Sequence, residues 1–600
     1  MGVFDPVERV FGAVNSTVFR QVNRAVHWWQ LPTPAALLNL RAHRDDLRQS
    51  NLYDTRPPSN GVALPLEKLP KHRTYDGSFQ DPTDPEMGMV GSRFGRNAPP
   101  EATAPEPPEQ MLDPSPREVS LRLLRRDSFK PATTLNVLAA CWIQMENHDW
   151  FGHGENDPER FIDVPLPEGD DWPEGDPMKV KRTSPDRTRT YKSGLPPTYV
   201  NTVTHWWDAS QLYGSSEERN RKLRAGEDGK MAMADGRLPE EDDPNLSGVD
   251  LTGFSDNYWI GLSLLHTLFM AEHNAICDRL KQAYPGWDDE RLFLTARLVN
   301  SALMAKIHTV EWTPGILANP VLERAMSANW YGILPRWVRG RFGHLGTEMI
   351  GGIVGSHQEH HAAPYSITEE FVSVYRLHPL LPDEYEIRDH RNGKLIATTD
   401  FDPLQGHGTR PTIDEHGMAN LLYSFGIASP GAITLHNHPR ALQNHVRMNG
   451  DRIDIGTIDI LRDRERGVRR YNDFRAALRK PRVERFEDLT PHPDWNEELR
   501  DVYNGDIDSV DLQIGLLGEP LPPGFGFSDT AFRIFILMAS RRLRSDRFFT
   551  DDYNPDVYTP EGIEWVESNM MADVLLRHHP ELAPALDGVK NAFAPWNQLG

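Results

Sequence analysis

Three stretches of the chain combine residue types and spacings that could do chemistry. The first is Trp142-Ile143-Gln144-Met145-Glu146-Asn147-His148-Asp149-Trp150. On a helix Gln144 and His148 are four apart and stack on one face, while Asp149 is turned about 100° away. That arrangement presents an imidazole and an amide to a substrate or cofactor and leaves a carboxylate for a second task. The plain alternative is a buried structural histidine. The second stretch is Thr204-His205-Trp206-Trp207-Asp208-Ala209-Ser210, in which Thr204, Trp206, Asp208 and Ser210 alternate. An extended or looping strand would aim their oxygens at one point, Trp206 contributing only its backbone carbonyl. Hard oxygen donors of this kind suit Ca²⁺, with Asp149 a candidate second carboxylate; an Asx or Ser/Thr turn is the competing reading. The third runs from Ser366 to Pro379. Ser366 and Glu369 read as a capping box that starts a helix, and Pro379 ends it just after His378. Tyr375 and His378, three apart, would share a face, a suitable way to hold an iron axially with a phenol near the macrocycle edge.

Helical elements must position these groups. Apolar periodicity predicts helices over about Thr134 to Phe151, Asn257 to Ala283, Asp289 to Trp312, Ile367 to His378 and Asp529 to Ser545, and strand-like alternation only locally, as in Tyr385 to Thr399. The expected class is mainly α. No Gly/Ser linker divides the 600 residues, and the motifs are so scattered that they must converge in one large helical unit with few short strands. Within it, residues 1–50 read as two helical pieces split at Leu31-Pro32-Thr33-Pro34 and packing on the main body. Residues 51–130 read as an extended arm with loops, and 131–600 as the catalytic body. In the first piece Phe11, Val14, Val18, Val22, Val26 and Trp29 form an apolar stripe, for which core packing is favoured over contact with a membrane surface. Seven prolines between Asn97 and Pro116 leave few backbone donors and predict a surface arm.

The formal charge of −22 argues against a nucleic-acid partner, since phosphate binding draws on clustered Lys and Arg. Cys141 and Cys277, both inside apolar helical patterns, imply no disulfide framework and fit a reducing, cytoplasmic setting. There is no secretory signal pattern and no apolar run of membrane-spanning length. His357-Gln358-Glu359-His360-His361 has neither zinc-motif spacing and follows Gly351, Gly352 and Gly355, so a mobile loop rather than a dedicated metal site is expected.

Taken together, the three motifs resemble the peroxidase and cyclooxygenase superfamily of haem enzymes, and within it most closely the fatty acid α-dioxygenases, from about His27 to near the C-terminus. The resemblance implies that Gln144 and His148 are the distal pair, that Tyr375 is the radical tyrosine and that His378 is the proximal iron ligand. It assigns Asp149, Thr204, Trp206, Asp208 and Ser210 to calcium. His308 and Thr313 match the family's carboxylate-anchoring pair, and an arginine of Ala539-Ser540-Arg541-Arg542-Leu543 supplies the third anchor, with Arg541 and Arg542 both candidates. His273 becomes a packing residue. Peroxidases that ester-link their haem carry an aspartate just before the distal histidine; Asn147 stands there and cannot form the ester, so haem b is expected to be non-covalent. The implied reaction starts from a hydroperoxide activator. The radical on Tyr375 removes the C2 hydrogen of a fatty acid, and O₂ adds to give a 2-hydroperoxy acid, which can lose CO₂ to yield an aldehyde one carbon shorter. No obligate protein partner is implied. The alternatives are a haem peroxidase oxidising small donors and a non-catalytic haem sensor or electron-transfer protein.

Overall fold

Side-chain oxygens start two of the long helices by satisfying amides that have no partner within the helix. In the computed structural model, which describes residues 15, 17–19, 21–23, 26–57, 64–65, 68–187, 194–334 and 348–600, Asp288 accepts from the Arg291 amide to cap Asp289–Ile307. Ser528 does the same from Ala531 for Asp529–Ser545. Helix Ile260–Ala283 packs against Asp289–Ile307 and against Val137–Trp150. All three are buried along most of their length, which is why their apolar residues are not confined to one stripe. Among the described residues strands occur only as three two-stranded antiparallel pairs. One of them, Glu384–Arg388 with Leu395–Asp400, is the alternation read in the sequence. The fold is mainly α, and one apolar core runs through the chain from Trp28 to Trp596. No described helix is long and apolar enough to cross a membrane.

The N-terminal helix Thr33–Ser50 packs on Asp529–Ser545. Just before it the buried Trp28 donates its indole N–H to Asp529 over 3.1 Å. Of the apolar stripe, Phe11 and Val14 lie outside the described residues and Val18 is 52% exposed, so core packing does not hold at Val18. The proline-rich arm is strapped down by two arginines. Arg464, paired with Asp511, donates to the carbonyls of Met111 and Pro114. Arg470 grips Glu106 with Nε and Nη2. A segment poor in donors still has carbonyls to satisfy, and guanidinium groups fill that need.

Two helices depart from expectation. The stretch predicted to run to Trp312 is α-helical only to Ile307; His308–Trp312 forms a π-turn, and Thr313–Ile316 resumes the α form. The stretch predicted over Ile367 to His378 is helical only over Glu369–Val374. Its cap is Thr368, whose hydroxyl accepts from the Phe371 amide, and not the Ser366–Glu369 box. The Glu369 carboxylate is taken instead by His153 Nε2, at 3.0 and 3.1 Å. Tyr375 leaves the helix at φ −93°, ψ 11°, and His378 opens a separate 3₁₀ turn, His378–Leu380. In the His357 to His361 segment, His357 pairs with Asp551 and His360 with Asp81, both through carboxylates and not as a metal cluster.

Candidate active site

Helix Val137–Trp150 carries two functional faces. On one, Gln144 accepts the Trp259 indole N–H at 2.7 Å and donates to the Asn257 carbonyl at 3.2 Å. One turn on, the His148 ring lies 4.7 Å from that of Phe254. His148 Nδ1 is buried with no protein partner. Burial, helped by His266, pulls the imidazole down to about 3, so it is neutral and able to take up a proton delivered by a ligand. Asn147, between the two faces, donates its side-chain amide to the Tyr375 carbonyl at 3.3 Å. This ties the helix to the segment that bears Tyr375 and His378.

His378 Nδ1 is held by Asp459 Oδ2 at 2.7 Å. Burial works to raise the Asp459 carboxyl, but His378, Arg376 and His438 together outweigh it and the net shift is downward. A carboxylate on Nδ1 fixes the tautomer and leaves Nε2 as the metal-facing nitrogen. His438 stands beside this pair, its ring 5.8 Å from that of His378, and the ligating atoms of His378, His438 and Asp459 lie within 4.8 Å of one another. Because Asp459 is engaged by His378, the arrangement suits an imidazole ligand with an orienting carboxylate. With the unpartnered His148 nitrogen on the other helix, this donor set fits a haem iron: one axial imidazole and one neutral imidazole for the ligand side.

The other face of helix Val137–Trp150 is the i, i+4, i+8 row Trp142, Glu146, Trp150. Trp142 donates its indole N–H to His308 Nδ1 at 3.1 Å, so the neutral His308 ring carries its hydrogen on Nε2. Burial, then Arg542, holds His308 well below the usual imidazole range. His308 stacks on Trp312 at 4.6 Å and meets the edges of Trp150 and Trp207 at 5.2 and 5.1 Å. The Arg542 guanidinium lies over the same two indoles, 3.8 Å from the Trp150 ring and 4.5 Å from Trp207. Its Nε and Nη2 are buried and unpartnered, as is the Thr313 hydroxyl. A buried guanidinium without a carboxylate partner calls for an anionic ligand. Arg541 differs: its guanidinium is spent on the carbonyls of His360, Ala363, Pro364 and Ser366.

The π-turn brings His308 and Thr313 together. Five residues on a regular α-helix advance to about 140° apart, which would point His308 and Thr313 away from each other. Here the Thr313 amide donates to the His308 carbonyl, closing the i to i+5 ring that sets the two residues one above the other. Tyr375 completes the arrangement, buried with its ring perpendicular to Trp150 at 5.4 Å and 4.4 Å from Phe371. Burial raises the phenol well above its ordinary value, so it is un-ionised and its hydroxyl hydrogen is in place. Trp150 therefore touches Tyr375, His308 and Arg542 alike.

The oxygen-rich segment is irregular rather than extended, with Ala209 at φ +60°. It forms two pairs: Thr204 donates to Asp208 at 2.9 Å, and Ser210 donates to Asp149 through both its amide, 2.5 Å, and its hydroxyl, 2.9 Å. Burial, then Asp208, then Glu146 push the Asp149 carboxyl well above its usual range, and its Oδ2 is buried with no partner. Arg297, 3.3 Å from Asp208, is the cation paired there. Two buried carboxylates with one orphan oxygen and hydroxyls on either side fit a hard cation. The Trp206 indole points elsewhere, to the carbonyls of Gly77 and Met87. Gly77, at φ +75°, allows this approach: a Cβ there would stand 2.9 Å from the Thr204 Cβ.

Sequence reasoning missed Asp459, His438, Glu146 and the indoles of Trp142, Trp150 and Trp207. The row Trp142, Glu146, Trp150 was the available signal for three of them. Asp459 and His438 had none, being brought to His378 only by the fold.

Comparison with known proteins gives the family. The animal haem peroxidase family signature matches residues 72–592. Alpha-dioxygenase PIOX of Oryza sativa subsp. japonica is 37% identical, over 95% of this chain and 93% of its own length, and that of Pisum sativum is 38% identical over 97% and 91%. The crystal structure of a Tyr-to-Phe variant of the Oryza sativa fatty acid alpha-dioxygenase with palmitic acid superposes with a TM-score of 0.90 at 35% identity, covering 100% of this chain and 98% of that one. On these likenesses the chain belongs to the animal haem peroxidase family and, within it, to the plant-type fatty acid α-dioxygenases.

Proposed function

We propose that this protein is a haem-dependent fatty acid α-dioxygenase. The observation that carries the reading is the sharing of Trp150: the hydroxyl-bearing ring of Tyr375 and the cationic and imidazole groups that suit a carboxylate, Arg542 and His308, pack on one indole. A carboxylate received by Arg542, the His308 Nε2–H and the Thr313 hydroxyl puts its own α-carbon beside Tyr375 and leaves the rest of the acyl chain to apolar surroundings. That geometry selects C2. The structure of an Oryza sativa relative with palmitic acid supports a fatty acid as the substrate.

When bound through His378, the haem supplies the one-electron oxidising power, drawn from a hydroperoxide, that converts Tyr375 to its phenoxyl radical. Neutral His148 accepts the peroxide proton and returns it to the leaving oxygen, while Gln144, fixed by Trp259 and Asn257, orients the ligand side. Tyr375 takes a hydrogen atom from C2, O₂ bonds to the carbon radical, and the resulting peroxyl recovers a hydrogen from Tyr375 to give the 2-hydroperoxy acid. Loss of CO₂ and water, with cleavage of the O–O and C1–C2 bonds, then yields the aldehyde one carbon shorter. Asp149, Asp208, Thr204, Ser210 and the Trp206 carbonyl would hold Ca²⁺, which would offset the repulsion of the two buried carboxylates and anchor the end of the helix carrying His148. We place the enzyme in the cytoplasm, where Cys141 and Cys277, buried and unpaired, remain thiols.

The test is Tyr375→Phe, which keeps the ring on Trp150 and removes only the hydroxyl. The variant should bind haem and consume peroxide at near wild-type rates yet produce no 2-hydroperoxy acid or shortened aldehyde from palmitate by mass spectrometry. Full oxygenation by the variant would refute the radical role. A wild type that oxidises small donors and leaves palmitate untouched would point to a peroxidase instead.

A further inference from the structure

We propose that Asn147 is a positioning residue for Tyr375. The helix that should have carried Tyr375 through to His378 stops at Val374, and Tyr375 turns out of it. Its carbonyl is thereby released from the helical pattern. Two donors meet it: the Leu377 amide at 3.0 Å and the Asn147 side-chain amide at 3.3 Å. Since a carbonyl only accepts, the group facing it must be the NH₂ of Asn147, which fixes the orientation of that amide. Asn147 Oδ1, on the other side, is buried and unpartnered, so no second bond competes for the side chain's placement.

The phenol itself has little else to orient it. Among the described residues its hydroxyl has no hydrogen-bond partner, and the ring is held by aromatic neighbours: Trp150 edge-on, Phe371 at 4.4 Å and Phe535 at 6.4 Å. Ring contacts of this type contribute about 0.5–1.5 kcal/mol each and tolerate sliding. A backbone tether at the Cα of the same residue limits the rotation they leave open. Asn147 and Trp150 are three apart on one helix, so a single element grips Tyr375 by its backbone and by its ring. The same element carries His148, and the site of peroxide chemistry is thus registered to the site of hydrogen abstraction by one side-chain amide. The position is the one at which ester-linking peroxidases have an aspartate, a residue that when ionised has no donor for the carbonyl.

This inference rests on the radical reading of Tyr375, and the experiment separates the two. Haem-loaded wild type, Asn147→Leu and Asn147→Ala are mixed with peroxide, freeze-quenched and examined by electron paramagnetic resonance. The hyperfine pattern of a phenoxyl radical follows the dihedral between its ring and its β-hydrogens and so reports orientation independently of turnover. Leu matches Asn in size without the donor, and Ala removes the same donor with a different volume should the Leu variant fold poorly. Each variant should show an altered tyrosyl pattern and a fall in palmitate oxygenation of roughly 10- to 100-fold, the order expected from a sub-ångström to 1 Å misplacement. Donor oxidation by peroxide should stay within about twofold, because no distal group is removed. An unchanged pattern with unchanged oxygenation overturns the proposal. So does a loss of donor oxidation equal to the loss of oxygenation, which would place Asn147 in the peroxide pocket. A wild type that gives no tyrosyl signal at all overturns the reading of Tyr375 itself.

Discussion

Arg541 and Arg542 are neighbours in sequence with opposite employment. Arg541 completes four backbone carbonyls that would otherwise be buried and unsatisfied. Arg542 stacks on two indoles and keeps Nε and Nη2 unspent. Replacing each by Met should therefore give two distinct phenotypes. Arg542→Met should leave the melting temperature near wild type and lower kcat/KM for palmitate by roughly 100-fold, as loss of a charged carboxylate anchor displaces the α-carbon. Arg541→Met should cost at least about 2 kcal/mol of stability, since orphaned buried acceptors are expensive, with the surviving folded fraction turning over normally. Calorimetry and steady-state kinetics on both variants check this, and identical behaviour of the two would contradict the division of roles.

At the scale of elements, the proposed ion joins the end of helix Val137–Trp150 to the segment from Thr204 to Ser210. Without a cation the Asp149 and Asp208 carboxylates repel inside the core. Chelation should then lower the melting temperature and loosen haem, and added Ca²⁺ should restore both; at a free concentration about 100-fold above the dissociation constant the linkage is worth roughly 2.7 kcal/mol. Unchanged melting after exhaustive chelation would remove the ion from the account. Elements also show what a sequence discloses. Helix Asp529–Ser545 and the alternation at Tyr385 to Thr399 were legible because cap and periodicity are local properties. The residues of the three motifs were legible as types at fixed spacings. The pairing of His308 with Thr313 was not legible from spacing, because five residues share a face only where the backbone adopts the i to i+5 ring. The capping box failed because Glu369 has a stronger partner in His153, more than two hundred positions away. Asp459, 81 residues beyond His378, reaches it only through tertiary packing.

The whole molecule buries imidazoles in neutral form. Burial lowers His205, His266 and His273 to about 4 each, and all three bond to backbone carbonyls. In the unfolded chain these rings titrate near 6.5, so between about pH 6.5 and 4 the unfolded state binds more protons and stability falls as pH falls. Below about 4 both states are protonated and this contribution levels off. The apparent melting temperature should accordingly decline across that window and not above it, and a flat profile between pH 6.5 and 4 in a thermal-shift series would count against these buried, neutral rings. The contact between Trp28 and Asp529, 501 residues apart, has a further consequence for how the protein is made. Helix Asp529–Ser545, which meets Trp28 and helix Thr33–Ser50, leaves the ribosome roughly 25–100 s later at about 5–20 residues per second. Throughout that interval helix Thr33–Ser50 has helix Pro320–Tyr331 to pack on but lacks Asp529–Ser545, and Arg542, on the same late helix, is not yet beside Trp150 and Trp207. The cluster of Trp150, His308 and Arg542 is therefore completed only in the last stage of translation.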